Sequence, residues 1–217
     1  MLSDLIWDVD GTIFDTYPAF IRAFEAALQE LNAQAPLDWI AELCKRSLSH
    51  CVTTLAGECQ VDADDVLRGF QAHYAAIPAR DQPLFPGVIE VCTYVRSIGG
   101  QNLIVTHRGG ESLQCLLEFH HMAGYFTDRL TRDDGFPRKP DPASFEEMIQ
   151  RHCLERASVL AVGDRDIDVL AGQAAGVRTC LFGTRLPDVG ADYTIAHFAE
   201  LYRILVVENG GKATVAT

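Results

Sequence analysis

The chain has 217 residues, 48% hydrophobic and 22% charged, an ordinary globular balance that excludes wholesale disorder, collagen-like repeats and low-complexity scaffolds. Eighteen basic residues against 30 acidic ones leave a formal charge of −12. Such a surface repels nucleic acid and anionic membranes, so neither is expected as a partner. Apolar runs such as Val159-Leu160-Ala161-Val162 are far below the ~20 residues that span a bilayer. The start, Met1-Leu2-Ser3-Asp4, lacks the basic, apolar and small-residue pattern of a secretory signal, so a cytoplasmic protein is expected. The seven cysteines (Cys44, Cys51, Cys59, Cys92, Cys115, Cys153 and Cys180) show neither zinc-site nor redox CxxC spacing and read as reduced, mostly core thiols.

Along the chain, Leu5-Ile6-Trp7 closes on the turn signal Asp8-Val9-Asp10-Gly11, which predicts a buried strand handing two acids to a loop. From Tyr17, the positions Phe20, Ile21, Phe24, Leu28 and Leu31 recur at helical spacing. Trp39, Ile40, Leu43 and then Leu48 predict a second helix, and Val66, Leu67, Phe70, Tyr74 and Ile77 another behind an Asp62 cap. Residues 16–83 therefore read as purely helical. After Leu84-Phe85-Pro86-Gly87 the character changes. A helix carrying Val88, Val91, Cys92, Val95 and Ile98 ends at Gly99-Gly100, and the strand Leu103-Ile104-Val105 ends at Thr106. Next come a helix with Leu113, Leu116 and Leu117, a strand within Tyr125–Thr131, and a helix from Asp141-Pro142 through Ile149. Strands follow at Val159–Val162, ending in Gly163-Asp164, and at Val177–Leu181, while the polar stretch Glu208–Thr217 predicts a frayed tail. This alternation predicts an α/β fold, a parallel sheet with helices on both faces and an early helical insertion.

In an open parallel sheet, ligands bind beyond the carboxyl ends of the strands. Three predicted strands end there, with Asp8 and Asp10, with Thr106, and with Asp164 followed by Asp168. Two carboxylates about 4 Å apart repel by roughly 4 kcal/mol at an effective dielectric of about 20, so such a cluster calls for a cation. Hard oxygen donors with room for water and phosphate favour Mg²⁺. Taken singly, each acid is equally well a turn or cap residue, since Asp-Gly turns are common. Thr106 offers a hydroxyl just before Gly109-Gly110, where a helix N-terminus would present backbone donors to an anion. Lys139, between Arg138 and Pro140, can set a positive charge against phosphoryl oxygens.

Asp8-Val9-Asp10-Gly11-Thr12-Ile13-Phe14-Asp15, Thr106, Lys139-Pro140 and Gly163-Asp164-Arg165-Asp166-Ile167-Asp168 resemble, in order, the four motifs of the haloacid dehalogenase superfamily. The likeness runs over nearly the whole chain. It implies a Rossmann-like core from residues 1–15 and 84–217, with 16–83 similar in place and size to the helical cap of the branch containing phosphoglycolate phosphatase and β-phosphoglucomutase. It further implies that Asp8 attacks the phosphoryl group to form an aspartyl-phosphate. Asp10 would protonate the leaving oxygen and later activate water. Asp8, the backbone carbonyl of Asp10 and Asp164 would hold Mg²⁺ with Asp168 in support, while Thr106 and Lys139 bind the phosphoryl group. Dehalogenases of the superfamily typically lack the second acid, so the presence of Asp10 argues for phosphate chemistry. Relatives often have Asn or Ser after the motif threonine, where this chain has His107-Arg108. Both residues could add positive charge toward the substrate, or His107 could simply satisfy the loop.

Other site types fit poorly. Asp164-x-Asp166-x-Asp168 resembles the opening of an EF-hand, but Val169 and Ala175 stand where Gly and Glu are needed. Six residues after Cys51 a cysteine phosphatase needs arginine, and the chain has Gly57. There is no GxSxG, Walker A or GxGxxG pattern, and His120-His121 near Cys115 reads as helix-end histidines. The expectation is thus an Mg²⁺-dependent phosphomonoesterase of a small phosphorylated metabolite, with Arg46, flanked by Lys45 and Ser47, reaching toward the substrate from the cap. A sugar-phosphate mutase and a non-catalytic Mg²⁺ and phosphate sensor remain alternatives, and monomer and homodimer are both open.

Overall fold

The computed structural model describes residues 1–183 and 189–211 and comprises two compact units, Met1–Phe14 with Leu84–Thr217, and Asp15–Pro83. In the first unit the described strands are β1 (Asp4–Trp7), β2 (Asn102–Val105), β3 (Asp128–Leu130), β4 (Val159–Gly163), β5 (Arg178–Phe182) and β6 (Tyr193–Ile195). They form one sheet in the order β3-β2-β1-β4-β5-β6, parallel throughout. β1, β2 and β4 are buried along their whole lengths, which is why residues 5–7, 103–105 and 159–162 read as unbroken apolar runs instead of alternating ones. From β1 the sheet grows outward in one direction through β2 and β3 and in the other through β4, β5 and β6. The order in which strands are added therefore reverses between β1 and β4, the place where such sheets leave a crevice at the strand ends. The register pairs Trp7 with Val162 and so brings Asp8 level with Gly163.

The second unit is made of α1 (Tyr17–Glu30), α2 (Leu37–Arg46), α3 (Leu48–Cys59) and α4 (Ala63–Ala76). Its own core gathers Phe24, Leu28, Ile40, Leu43, Leu55, Val66 and Phe70, with Phe24 and Phe70 stacked at 4.2 Å between ring centroids. α1 and α4 approach closely where Ala27 faces Gly69, at which a Cβ would lie 2.9 Å from that of Ala27. Asp62 caps α4 as the sequence predicts, accepting from the amides of Asp64 and Asp65. The stretch anticipated as one helix around Trp39 to Leu48 is two. Ser47 turns the chain and accepts from the His50 amide at 3.0 Å, which starts α3.

Back in the first unit, α5 (Val88–Ser97), α6 (Gly110–Phe119), α7 (Ala143–Arg151), α8 (Asp166–Ala174) and α9 (Phe198–Glu208) flank the sheet. Ile6, Leu103, Val105 and Ala161 pack with Phe145 and Met148 of α7 and Ala171 of α8. Trp7 points to the opposite face, against Phe198 of α9 at 5.7 Å, and its indole N–H donates to Asn102, whose amide donates to the Cys92 carbonyl of α5. The strand expected within Tyr125–Thr131 shrinks to three residues behind a short 3-10 turn at Ala123–Tyr125. The expected tail begins later than predicted, because Glu208 pairs with Arg178 at 2.9 Å and Asn209 exchanges hydrogen bonds with the backbone of Leu2. The remainder of that tail, 212–217, lies outside the described residues. All seven cysteines are unpaired, with Cys115 and Cys153 exposed instead of in the core. No described helix is long and apolar enough to cross a membrane.

Candidate active site

The ends of β1, β2 and β4 deliver the chemistry. Asp8 extends β1 by one residue, its amide donating to the Val162 carbonyl at 2.8 Å. The loop then doubles back: the Val9 carbonyl accepts from the amides of Thr12, Ile13 and Phe14. Gly11, at φ +80°, takes a left-handed conformation that a side chain would strain. Thr12 reaches across to Asp164 at 3.4 Å and so joins the β1 loop to the β4 loop. After Gly163 the chain enters α8, whose first turn carries Asp168, with its carboxylate accepting from the Arg165 amide at 3.1 Å. A Cβ on Gly163 would sit 2.3 Å from that of Asp168 and 2.6 Å from its Oδ2. The missing side chain is what lets this acid lie behind the strand end.

Lys139 ties the cluster together. Its Nζ donates to Asp8 Oδ1 at 2.6 Å and to the Val105 carbonyl at 3.1 Å, and it lies 2.5 Å from Asp168 Oδ1. Its backbone amide donates to His107 Nε2 at 2.9 Å. An imidazole nitrogen that accepts carries no proton. Burial together with Lys139, Arg138 and Arg165 accordingly holds the His107 pKa down, to about 3. The expectation that His107 adds positive charge is thereby corrected: it is a neutral support for the Lys139 loop.

Thr106 is buried, and its Oγ1 accepts from the Arg108 amide at 3.1 Å. That leaves the hydroxyl hydrogen to donate. The anticipated anion site at the start of α6 is partly spent, because the Gly110 amide already donates to Asp133 Oδ2 at 2.7 Å. Arg108 is turned to another purpose as well. Its guanidinium holds Asp10 through Nε and Nη2 and Ser112 through Nη1.

Asp8, Asp164 and Asp168 each offer an oxygen, all within 4.8 Å of one another. Burial lifts the Asp8 pKa to about 6, Asp168 adding to the rise while Lys139 and Arg165 oppose it. Burial also works against the charge of Asp168 and of Lys139. In both it is outweighed, by Lys139 and Arg165 at the acid, which titrates below its ordinary range, and by Asp168 and Asp8 at the amine, which titrates above it. Three carboxylates against Lys139 and the nearby Arg165 still leave negative charge uncompensated, and Asp8 Oδ2 is buried with no hydrogen-bond partner among the described residues. Buried acceptors are rarely left so. Hard oxygen donors, residual negative charge and an orphaned lone pair together fit a small divalent cation such as Mg²⁺.

Of the residues singled out from sequence, Asp8, Asp164, Asp168 and Lys139 converge in one cluster. Asp10 is not part of that cluster, its carboxylate Oδ1 being held by Arg108; the ligand role the resemblance implies for it is that of its backbone carbonyl. Arg46 is the exposed last residue of α2 in the other unit. Sequence reading missed the Thr12 tie, the close approach at Gly163 and the charge of Arg165 beside Asp8. All three stand inside the quoted motifs, where a small polar residue and a glycine at strand ends are signals of close approach.

The sequence profile of the haloacid dehalogenase-like hydrolases matches residues 5–182. Among curated proteins, a plasmid-encoded phosphoglycolate phosphatase of Cupriavidus necator is 29% identical, over 80% of this chain and 78% of its own length. A phosphoglycolate phosphatase of Rhodospirillum rubrum is 30% identical, over 80% and 76%. The crystal structure of a predicted phosphoglycolate phosphatase from Haemophilus somnus superposes with a TM-score of 0.85 at 21% identity, covering 94% of this chain and 98% of that one, and so shares the fold. The chain belongs to the haloacid dehalogenase-like hydrolase family, as an enzyme of its phosphatase branch.

Proposed function

We propose that the protein is an Mg²⁺-dependent phosphomonoesterase of small phosphorylated metabolites, working through an aspartyl-phosphate on Asp8. What carries the reading is the convergence, at the crevice between β1 and β4, of a buried acid having one unbonded oxygen with two further acids and a buried lysine. An Asp8 oxygen attacks phosphorus as the bond to the leaving alcohol breaks, and Asp10 gives that alcohol its proton. Asp10 then takes a proton from the water that attacks the same phosphorus, which frees Asp8 and inorganic phosphate. Thr106 and Lys139 hold the phosphoryl oxygens through the change in charge. When bound, Mg²⁺ supplies the positive charge that lets a carboxylate meet an anionic phosphoryl group, and Asp8, Asp164 and the Asp10 carbonyl would hold it, with Asp168 in support.

The phosphoglycolate phosphatases among the relatives favour a small phosphorylated acid over a phosphoprotein, in a cytoplasmic enzyme. The inserted helical unit is read as a substrate-selecting cap with Arg46 as its selecting residue; an unchanged substrate profile for Arg46→Ala would remove that role. The test of the function is a panel of small phosphate esters assayed for free phosphate with Mg²⁺ and with chelator. Turnover is expected only with the metal, and Asp8→Asn should lose more than about 10³-fold in kcat while staying folded. Asp8→Asn turning over at the parent rate would overturn the reading. Isomerised product in place of free phosphate would mark a mutase.

A further inference from the structure

Arg108 is among the most buried charged residues of the protein, with only 3% of its side chain exposed. It lies two residues beyond Thr106, and its amide is fixed on the Thr106 hydroxyl. The guanidinium is aimed away from open solvent: Nε donates to Asp10 Oδ1 at 3.1 Å, Nη2 contacts the same oxygen, and Nη1 donates to Ser112 Oγ at 2.6 Å. A planar fork anchored at three points fixes its partner in direction as well as in charge. Both contacts fall on Oδ1, so the other oxygen of Asp10 takes no part in the pair. Asp10 itself is one-fifth exposed, open enough to meet a substrate and too open for packing alone to fix its rotamer.

We infer that Arg108 is a positioning residue for Asp10, locking the proton-transfer carboxyl at the end of β1 from the loop after β2, and that it is not a substrate-binding cation. The inference rests on the proposed role of Asp10. Three variants compared with the parent under saturating Mg²⁺ separate the possibilities. Arg108→Gln should lower kcat by about 10- to 100-fold, the scale on which loose alignment of a reacting group costs rate, while KM moves by less than about threefold. Arg108→Lys, which restores charge without the fork, should recover part of that loss. In an Asp10→Asn background, Arg108→Gln should cost less than about twofold more, because the group it positions has already lost its function. Ser112→Ala, at an exposed anchor, should reproduce a weaker kcat loss in a protein of unchanged stability, which keeps the test open if Arg108→Gln folds poorly.

A KM rise with kcat retained, or full additivity with Asp10→Asn, would overturn positioning in favour of direct substrate contact. Parent kinetics in both Arg108→Gln and Ser112→Ala would leave the pair only structural and would also overturn it. Failure of the proposed function looks different: Asp8→Asn, with Arg108 intact, would keep its turnover.

Discussion

At Lys139 a single ammonium stands between two carboxylates that are almost wholly buried, 2.6 Å from Asp8 and 2.5 Å from Asp168. Taking three charges out of water costs several kcal/mol per ion, and the arrangement holds only because the attraction is short-range and poorly screened. Removing one partner is therefore far worse than never having had the pair. Lys139→Met should destabilise the protein by about 3–5 kcal/mol in the absence of metal, and millimolar Mg²⁺ should restore part of that loss by supplying the missing charge. Urea unfolding with and without the cation measures both. A variant as stable as its parent in chelator would show that Lys139 does not compensate these acids. Asp8 and Asp164 were legible in sequence because each directly follows a predicted strand end, Lys139 because it stands between Pro137 and Pro140, and Asp168 through the motif it shares with Asp164. The partners of Arg108 and His107 were not. Asp10 and Arg108 are 98 residues apart, and an imidazole accepting a backbone amide from a distant loop leaves no local pattern to read.

Elements were legible to the degree that their periodicity was long. α1 and α4, at 14 residues each, show several turns of apolar spacing, and buried β1, β2 and β4 show compact apolar runs bounded by turns. β6, with three residues, shows no period at all, and its place is set by pairing with β5. α9 follows it and escaped notice with it. Apolar spacing runs on through the break between α2 and α3, and it is Ser47 acting as a cap that starts a new helix there. Close approach between elements is a further property that periodicity does not carry, and two glycines separate it from helix propensity. Gly172, where α8 lies on β4 and β5, would place a Cβ 2.8 Å from Thr179 Cγ2 and 2.9 Å from Ala161 Cβ. Gly57 in α3 would place one in open space. Alanine gains about 1 kcal/mol over glycine in a helix interior, whereas overpacking a sheet contact costs about 1–3 kcal/mol. Gly57→Ala should raise the urea midpoint and Gly172→Ala lower it. Equal shifts of the same sign would mean that propensity alone decides at both positions.

Across the whole molecule, the acid cluster stands where the two directions of sheet growth meet, so a cation there ties β1 to β4 and its loop. A ligand that binds only the folded state stabilises it by about 2.7 kcal/mol at 100 times its Kd, worth roughly 5–10 °C in a chain of this size. The two tryptophans, Trp7 and Trp39, stand one in each compact unit, and Trp7 immediately precedes Asp8. In Trp39→Phe, the fluorescence of Trp7 alone should therefore report the upward shift on adding Mg²⁺, and Asp164→Asn should abolish it. The shift should depend on pH with a definite sign. Burial holds the Asp8 pKa at about 6, above its ordinary 3.8, so between those values the metal-free fold binds a proton that the unfolded chain does not. This group alone then favours the metal-free fold as pH falls through 6. The cation must displace that same proton, so Mg²⁺ stabilisation should be full at pH 7.5 and much reduced at pH 5. An equal Mg²⁺ shift at both values would remove Asp8 from the binding site, and a shift that survived in Asp164→Asn would place the cation elsewhere.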